Sequence, residues 1–179
     1  WVEGQSIGGG YYSNILNPIF FITGRNITSH RNFLSEIDNY VMPGVYNGVN
    51  ALQNTMYSIN SDLLLVAETV FNNDDRNRGG LVTSKLLDLP NKPHDINTNK
   101  QSLSRWKSEA TTVYTINQKL KSKRLATAKI LWIASKYKDE KQLGFPGQVD
   151  FRSRFYYVPS YLNPQGTDLA KALLKFANA

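Results

Sequence analysis

From Leu103 onward the chain sets an inward-looking residue every three or four positions. Leu103, Trp106, Ala110, Val113, Asn117 and Leu120 form one stripe at alternating spacings of three and four, the period of an α-helix face. Leu125, Ala128, Trp132 and Ser135 continue it with a shift in phase, and Ser102 is placed to cap the helix start. Two shorter helices are predicted earlier. Val45, Val49, Leu52 and Met56 share one face. Asn60 then precedes a second helix with Leu63, Val66, Ala67 and Val70 on its apolar side. Core packing is the expected job of both faces.

The remaining pattern is turns and short strands. Ile19 to Ile22 reads as a short buried strand, and Asn17-Pro18 and Pro43-Gly44 as turns. Residues 72–99 are rich in Asn, Asp, Gly and Pro and read as a connector, with a short strand or helical turn at Leu81 to Leu87. Near the C-terminal end stands VDFRSRFYYVPSYLNPQGTD, residues 149–168. Read as a strand, it points Asp150, Arg152, Arg154 and Tyr156 to one face and Phe151, Ser153, Phe155 and Tyr157 to the other. LNPQG then turns the chain, and Thr167 caps a helix with Leu169, Ala172, Leu173 and Phe176 inward. Asp168 in its first turn suits the helix dipole. The fold class expected is mostly α with short β elements.

Charge changes this picture by its location. The 179 residues carry a net charge of +7, yet residues 100–141 alone hold eleven Lys or Arg against three acids. That segment nets +8, leaving −1 for the rest, so the basic character belongs to the long predicted helix. Within it, KLKSKR places Lys119, Lys121, Lys123 and Arg124 together. Such a run is either a solvated helix face or a surface that tracks a phosphate backbone without reading sequence. Arg152 and Arg154 present a similar choice. They form an ion pair with Asp150 beside a core, or an electropositive strip whose planar donors suit phosphate oxygens.

Several chemistries drop out. There is no cysteine, so disulfides, thiolate metal sites and thiol nucleophiles are excluded. His30 and His94 are far apart in sequence and give no zinc pattern. The longest apolar run, Leu63 to Ala67, is too short for a bilayer, so no membrane partner is expected. Gly8, Gly9 and Gly10 before Tyr11 and Tyr12 lack the spacing of a phosphate-cradling loop and read as a turn into a strand. The chain starts at Trp1 without a signal-peptide pattern, as a piece of a longer, non-secreted protein would.

The stretch from Asp150 to Phe176 resembles the DxxGR region of single-subunit DNA-directed RNA polymerases, the type found in bacteriophages and mitochondria. NPQG at 163–166 favours the phage branch. WVEGQSIGGGYY at the start, YVMPGVYNGVNALQNTMYSIN at 40–60 and LSRWKSEATTVY at 103–114 resemble consecutive segments of the same polymerases, in the same order. The resemblance implies a right-hand polymerase fold. It divides the chain into the end of an N-terminal, promoter-side domain at 1–59, a helical thumb at 60–141 and the start of the palm at 142–179.

The resemblance also implies roles. Asp150 and Arg154 hold the ends of DxxGR, which in the family contacts the template strand and the RNA–DNA hybrid. Tyr156, Arg152 and Lys171 fall at or beside further nucleic-acid contacts, and Lys119, Lys121, Lys123 and Arg124 would contact the backbone from the thumb. Ser153 departs from the motif glycine. The family's two aspartates, which hold Mg²⁺, lie downstream, so neither Asp150 nor Asp168 is read as a metal ligand and the segment alone is expected to be inactive. The implied partners are a DNA template, an RNA transcript, nucleoside triphosphates and the remainder of the polymerase, in the same chain or a second subunit. The implied setting is the cytoplasm of an infected bacterial host. A non-enzymatic basic nucleic-acid-binding protein would explain the charge but not the ordered matches.

Overall fold

The computed structural model describes residues 42–73, 84–150 and 152–178, with Gly8–Gly9, Asn17–Pro18, Phe20–Phe21, Asn32 and Glu36. About half of it is helical, with a few short strands. The backbone divides into two compact units: Trp1–Ser61 with Lys136–Ala179, and Asp62–Ser135.

The first unit joins distant parts of the chain through small sheets. Strands β1 (Gly8–Gly9) and β2 (Asn17–Pro18) pair antiparallel, so Asn17-Pro18, expected as a turn, lies in a short ladder. Strand β3 (Phe20–Phe21), inside the predicted Ile19 to Ile22 strand, pairs parallel with β5 (Gly147–Asp150), which pairs antiparallel with β6 (Phe155–Tyr157). Strand β4 (Tyr57–Ile59) pairs antiparallel with β7 (Leu174–Phe176), and Tyr57 exchanges backbone hydrogen bonds with Leu143 on its other side. Tyr11 and Tyr12 lie outside the described residues.

Helix α1 (Pro43–Gln53) starts where a turn was expected. Pro43 occupies its first turn, where the missing N–H costs nothing. Its buried face is Tyr46, Val49 and Gln53, whereas Val45 and Leu52 are exposed. The predicted stripe is thus rotated by about one residue, because Tyr46 supplies more apolar area than Val45 and Gln53 has a partner inside. The Gln53 side chain is 1% exposed and accepts a hydrogen bond from the Gly147 N–H at 2.9 Å. A buried amide is tolerated when so paired.

An aromatic row lines this unit. Tyr57 stacks on Phe176 at 5.3 Å and meets Phe145 edge-on at 5.6 Å; Phe145 meets Tyr157 at 6.1 Å, and Tyr157 meets Phe155 at 4.9 Å. These are the offset and T-shaped geometries that ring quadrupoles favour. Burial, together with the neighbouring Tyr57 hydroxyl, pushes the Tyr157 phenol up to about 12. The C-terminal helix is shorter than expected. α4 runs Asp168–Ala172 with Thr167 as its cap, its Oγ1 accepting from Ala170 N–H. Ala170 and Leu173 are buried, but Ala172 and Phe176 are exposed, because residues 174–176 leave the helix to complete the β4 ladder.

The second unit holds α2 (Ser61–Asn73) and α3 (Lys100–Lys136). In α2 the buried pair is Leu64 and Ala67, while Val66 is 57% exposed, so the expected face is again displaced by part of a turn. In α3 the stripe Leu103, Trp106, Ala110, Val113, Asn117, Leu120 is shielded throughout, with Ala110 3% exposed. The predicted phase shift beyond Leu120 does not occur. The shielded positions continue as Arg124, Thr127, Leu131 and Ala134, still at spacings of four and three, while Leu125 and Trp132 are exposed. The true stripe is less apolar than the one inferred, and composition misdirected the reading.

Asn117 shows how a polar residue belongs on that stripe. Its amide donates to Leu87 C=O at 2.9 Å and accepts from Leu87 N–H at 2.8 Å. Residues 84–90 form neither helix nor strand, where a short strand or helical turn was expected; residues 81–83 lie outside the described set. Trp106 Nε1 donates to Pro90 C=O at 2.8 Å, and Lys92 stands 5.6 Å over the Trp106 ring. Asn99, not Ser102, caps α3: its Oδ1 accepts from the N–H groups of Gln101 and Ser102. Ser102 Oγ instead donates to Asp95 at 2.7 Å.

Candidate nucleic-acid interface

Asp150 and Arg154 do not lie in one strand: β5 and β6 pair antiparallel, and the chain turns back between them. Asp150 N–H donates to Arg154 C=O at 2.9 Å, and Ser153 N–H to Asp150 C=O at 2.9 Å. Ser153 has φ of 60°, the left-handed conformation that follows the turn in a three-residue hairpin loop and that favours glycine. The geometry gives a physical reason for the glycine of DxxGR. With Ser153→Gly the Cβ penalty of about 1–2 kcal/mol disappears, partly offset by the looser unfolded chain. The expected outcome is a net gain of about 0.5–1 kcal/mol, read as a higher denaturant midpoint; a lower midpoint would show that the serine is preferred there.

Asp150 organises this turn. It is 3% exposed. Oδ1 accepts from the backbone N–H groups of Arg152 and Arg154, both at 2.9 Å. Oδ2 accepts from Arg152 Nε at 3.1 Å and from its terminal nitrogen at 3.0 Å. Burial pushes the Asp150 carboxyl up, but the Arg154 N–H and the Arg152 side chain and N–H outweigh it, holding the pKa below the ordinary aspartate value. Arg152 thus forms the ion pair with Asp150. Asp150 first, and the neighbouring Tyr156 to a lesser degree, hold the Arg152 guanidinium in its charged form.

Arg154 differs. Its N–H is committed to Asp150, but its side chain makes no hydrogen bond or ion pair among the described residues, and the residue is exposed. Backbone groups of residues 154, 156 and 158 turn toward β5. By strand alternation Arg154 and Tyr156 share a face, opposite Phe155 and Tyr157 in the aromatic row. Tyr156 is 37% exposed. Phe151, expected on the aromatic face, lies outside the described residues. Lys171 sits on α4, away from this turn in sequence, and reaches Asp168 at 3.4 Å, an exposed pair of little energetic weight.

The four cations of KLKSKR do not form one patch. On α3, Lys119 and Lys123 are one turn apart on the same side, and Lys121 points about 180° away from their mean direction. All three are exposed, without side-chain hydrogen bonds or ion pairs among the described residues. Arg124 turns inward, its guanidinium 4.2 Å over the Phe71 ring. Lys121 lies on a second helical stripe with Lys107, Tyr114, Leu125 and Trp132, of which Tyr114 is 60% and Trp132 65% exposed.

Among the described residues no group of three or more His, Cys, Asp or Glu could hold a metal ion. Asp150 is consumed by the four donors of its turn, so its carboxylate does not fit Mg²⁺. Among the same residues no helix is long and apolar enough to cross a membrane. Sequence reasoning missed Gln53, Gly147 and Gln165 as builders of the site; NPQG was read only as a turn and a family mark.

No protein-family model matches the chain. It is similar to the DNA-directed RNA polymerase of Enterobacteria phage T3, with 34% identity over 170 residues, 95% of this chain and 19% of that protein. It is equally similar to the T7 RNA polymerase of Escherichia phage T7, again 34% over 170 residues and 19% of the relative. A mitochondrial DNA-directed RNA polymerase of Arabidopsis thaliana is 28% identical over 159 residues, 89% of this chain and 16% of the relative. The chain thus spans about a fifth of the length of the phage relatives it matches. Matched along nearly its whole length, it belongs to the single-subunit DNA-directed RNA polymerases of phages and organelles, as the counterpart of one partial segment.

Proposed function

We propose that this chain holds template and RNA–DNA hybrid for a polymerase that makes RNA from nucleoside triphosphates on DNA. The observation that carries the reading is Arg154: an exposed guanidinium without a partner among the described residues, carried by a turn that buried Asp150 locks. Planar forked donors of this kind suit phosphate oxygens. Arg154 is the contacting group and Tyr156 its neighbour on the same face. Asp150 and Arg152 act by shaping the turn, and Lys171 lies further along the chain as an auxiliary cation.

In this reading residues 1–59 end the promoter-side domain, 60–141 form the thumb and 142–179 open the palm of a right-hand polymerase. Support comes from the concentration of cations on α3, which at about 1.5 Å per residue is long enough to follow several phosphates. Mg²⁺ and the groups that bind it belong to the rest of the polymerase. The phage relatives favour action in the cytoplasm of an infected bacterium.

Salt dependence tests the thumb assignment. The complete polymerase, titrated with a labelled RNA–DNA hybrid at several salt concentrations, should bind more weakly as salt rises, whatever the sequence. Removing Lys119 and Lys123 together should flatten the log–log slope by about 1–2 units if that side tracks phosphates. Lys121→Ala should do so instead if the opposite side does. An unchanged slope in both variants would refute the assignment.

A further inference from the structure

Gln165 brackets the strand that carries Tyr156. Its Nε2 donates to Phe155 C=O at 3.0 Å and its Oε1 accepts from Tyr157 N–H at 3.1 Å. Residues 154, 156 and 158 turn their backbone groups toward β5, so those of 155 and 157 face the other way. In the order β3-β5-β6, that is the edge of β6 with no further strand among the described residues. One side-chain amide thus stands where the next strand would supply a peptide group. It satisfies an edge that would otherwise rely on water.

The bracket is itself anchored. Gln165 N–H donates to Asn163 Oδ1 at 2.8 Å, Gly166 N–H to Asn163 C=O at 3.0 Å, and Asn163 Nδ2 to Pro159 C=O. Asn163 is 7% and Leu162 3% exposed. The NPQG turn is therefore held to the body of its unit, and its glutamine reaches back to β6. With β5 on one edge and Gln165 on the other, the three-residue strand is fixed on both sides. Phe155 and Tyr157 face the aromatic row, and the opposite face displays Arg154 and Tyr156.

We infer that Gln165 is a positioning residue: its amide clamps β6 so that Arg154 and Tyr156 are presented to nucleic acid in one orientation. The inference rests on the nucleic-acid reading of Arg154. It assigns no contact between Gln165 and the nucleic acid itself.

The test is binding of a labelled RNA–DNA hybrid to the complete polymerase carrying Gln165→Leu, Gln165→Glu, Arg154→Ala or the pairwise combinations. Gln165→Leu removes both hydrogen bonds and should weaken binding about tenfold. Gln165→Glu keeps the acceptor for Tyr157 N–H, loses the donor to Phe155 C=O, and should weaken binding by at least as much as one lost bond. In the Arg154→Ala background each substitution should cost clearly less than in the wild type, since the principal contact that the clamp positions is gone and only Tyr156 remains. A merely structural role would add its loss in both backgrounds. Additive losses, or unchanged binding by both Gln165 variants, overturn the inference while leaving the Arg154 reading standing. Unchanged binding by Arg154→Ala overturns that reading and the inference with it. Should the leucine variant fail to fold, the glutamate series alone decides.

Discussion

An Arg154→Ala polymerase is expected to fold normally and to lose about ten- to a hundredfold in transcription efficiency. Folding should survive because the part of Arg154 that shapes the turn is its N–H, which donates to Asp150 Oδ1 and which alanine keeps. Its side chain is exposed and holds nothing among the described residues. The functional loss follows from what a guanidinium does at a phosphate. A charge-assisted hydrogen bond contributes about 1.5–3 kcal/mol, and a forked pair adds fixed geometry. Arg154→Lys keeps the charge without the fork and should fall between wild type and alanine.

The neighbouring arginine supplies the control. Arg152→Ala removes two of the four donors to buried Asp150, so it should lower stability and activity together, whereas Arg154→Ala should lower activity alone. Run-off transcription paired with thermal melting separates the two. Normal transcription by folded Arg154→Ala would remove the proposed contact, and a fall in melting temperature equal to that of Arg152→Ala would show that the side chain is structural.

How far the sequence could be read depended on the range of the interactions. The first half of the α3 stripe was legible because helix period is a local property, and Leu103 to Leu120 obey it. Its second half was misread because Leu125 and Trp132 looked like core residues, while the shielded positions there include Arg124 and Thr127. Arg124 fits because its guanidinium finds Phe71, some fifty residues away, and no local pattern records that. The displaced face of α1 has the same origin. Gln53 is buried only because Gly147 supplies an N–H, 94 residues on.

In the candidate site, residue types were legible and geometry was not. Spacing brought Asp150, Arg152, Arg154 and Tyr156 to one face, and they do cluster, but through a turn rather than along a strand. The deciding angle is at Ser153, whose φ of 60° is masked at sequence level because serine is not a residue that advertises it. Phe176 was read as helical core because Leu169, Leu173 and Phe176 have helical spacing. The ladder with Tyr57–Ile59 is a long-range alternative that only the fold reveals.

The second large effect should come from the smallest substitution in the β5–β6 hairpin, Gly147→Ala. By intrinsic preference alone alanine ought to help, since glycine in a strand costs about 0.5–1 kcal/mol in backbone entropy. Here the sign should reverse. A Cβ on Gly147 would fall within the ring of Phe155, closer than any real carbon contact. The ring cannot simply step aside without disturbing the row, for its edge packs on Tyr157 at 4.9 Å and Tyr157 on Phe145 at 6.1 Å. Moving the backbone instead would strain the Gly147 N–H bond to Gln53 Oε1, whose side chain is fully buried. Overpacking of this kind costs about 1–3 kcal/mol, the upper part of that range applying where both escape routes are blocked. Denaturant unfolding of the chain measures it. The diagnostic is a second change: Phe155→Leu removes the far end of the ring and should recover much of the Gly147→Ala loss, although alone it destabilises. If the two losses simply add, the clash is not the cause, and a stabilising Gly147→Ala would mean that the ring yields freely and that the packing of this hairpin is looser than its aromatic row implies.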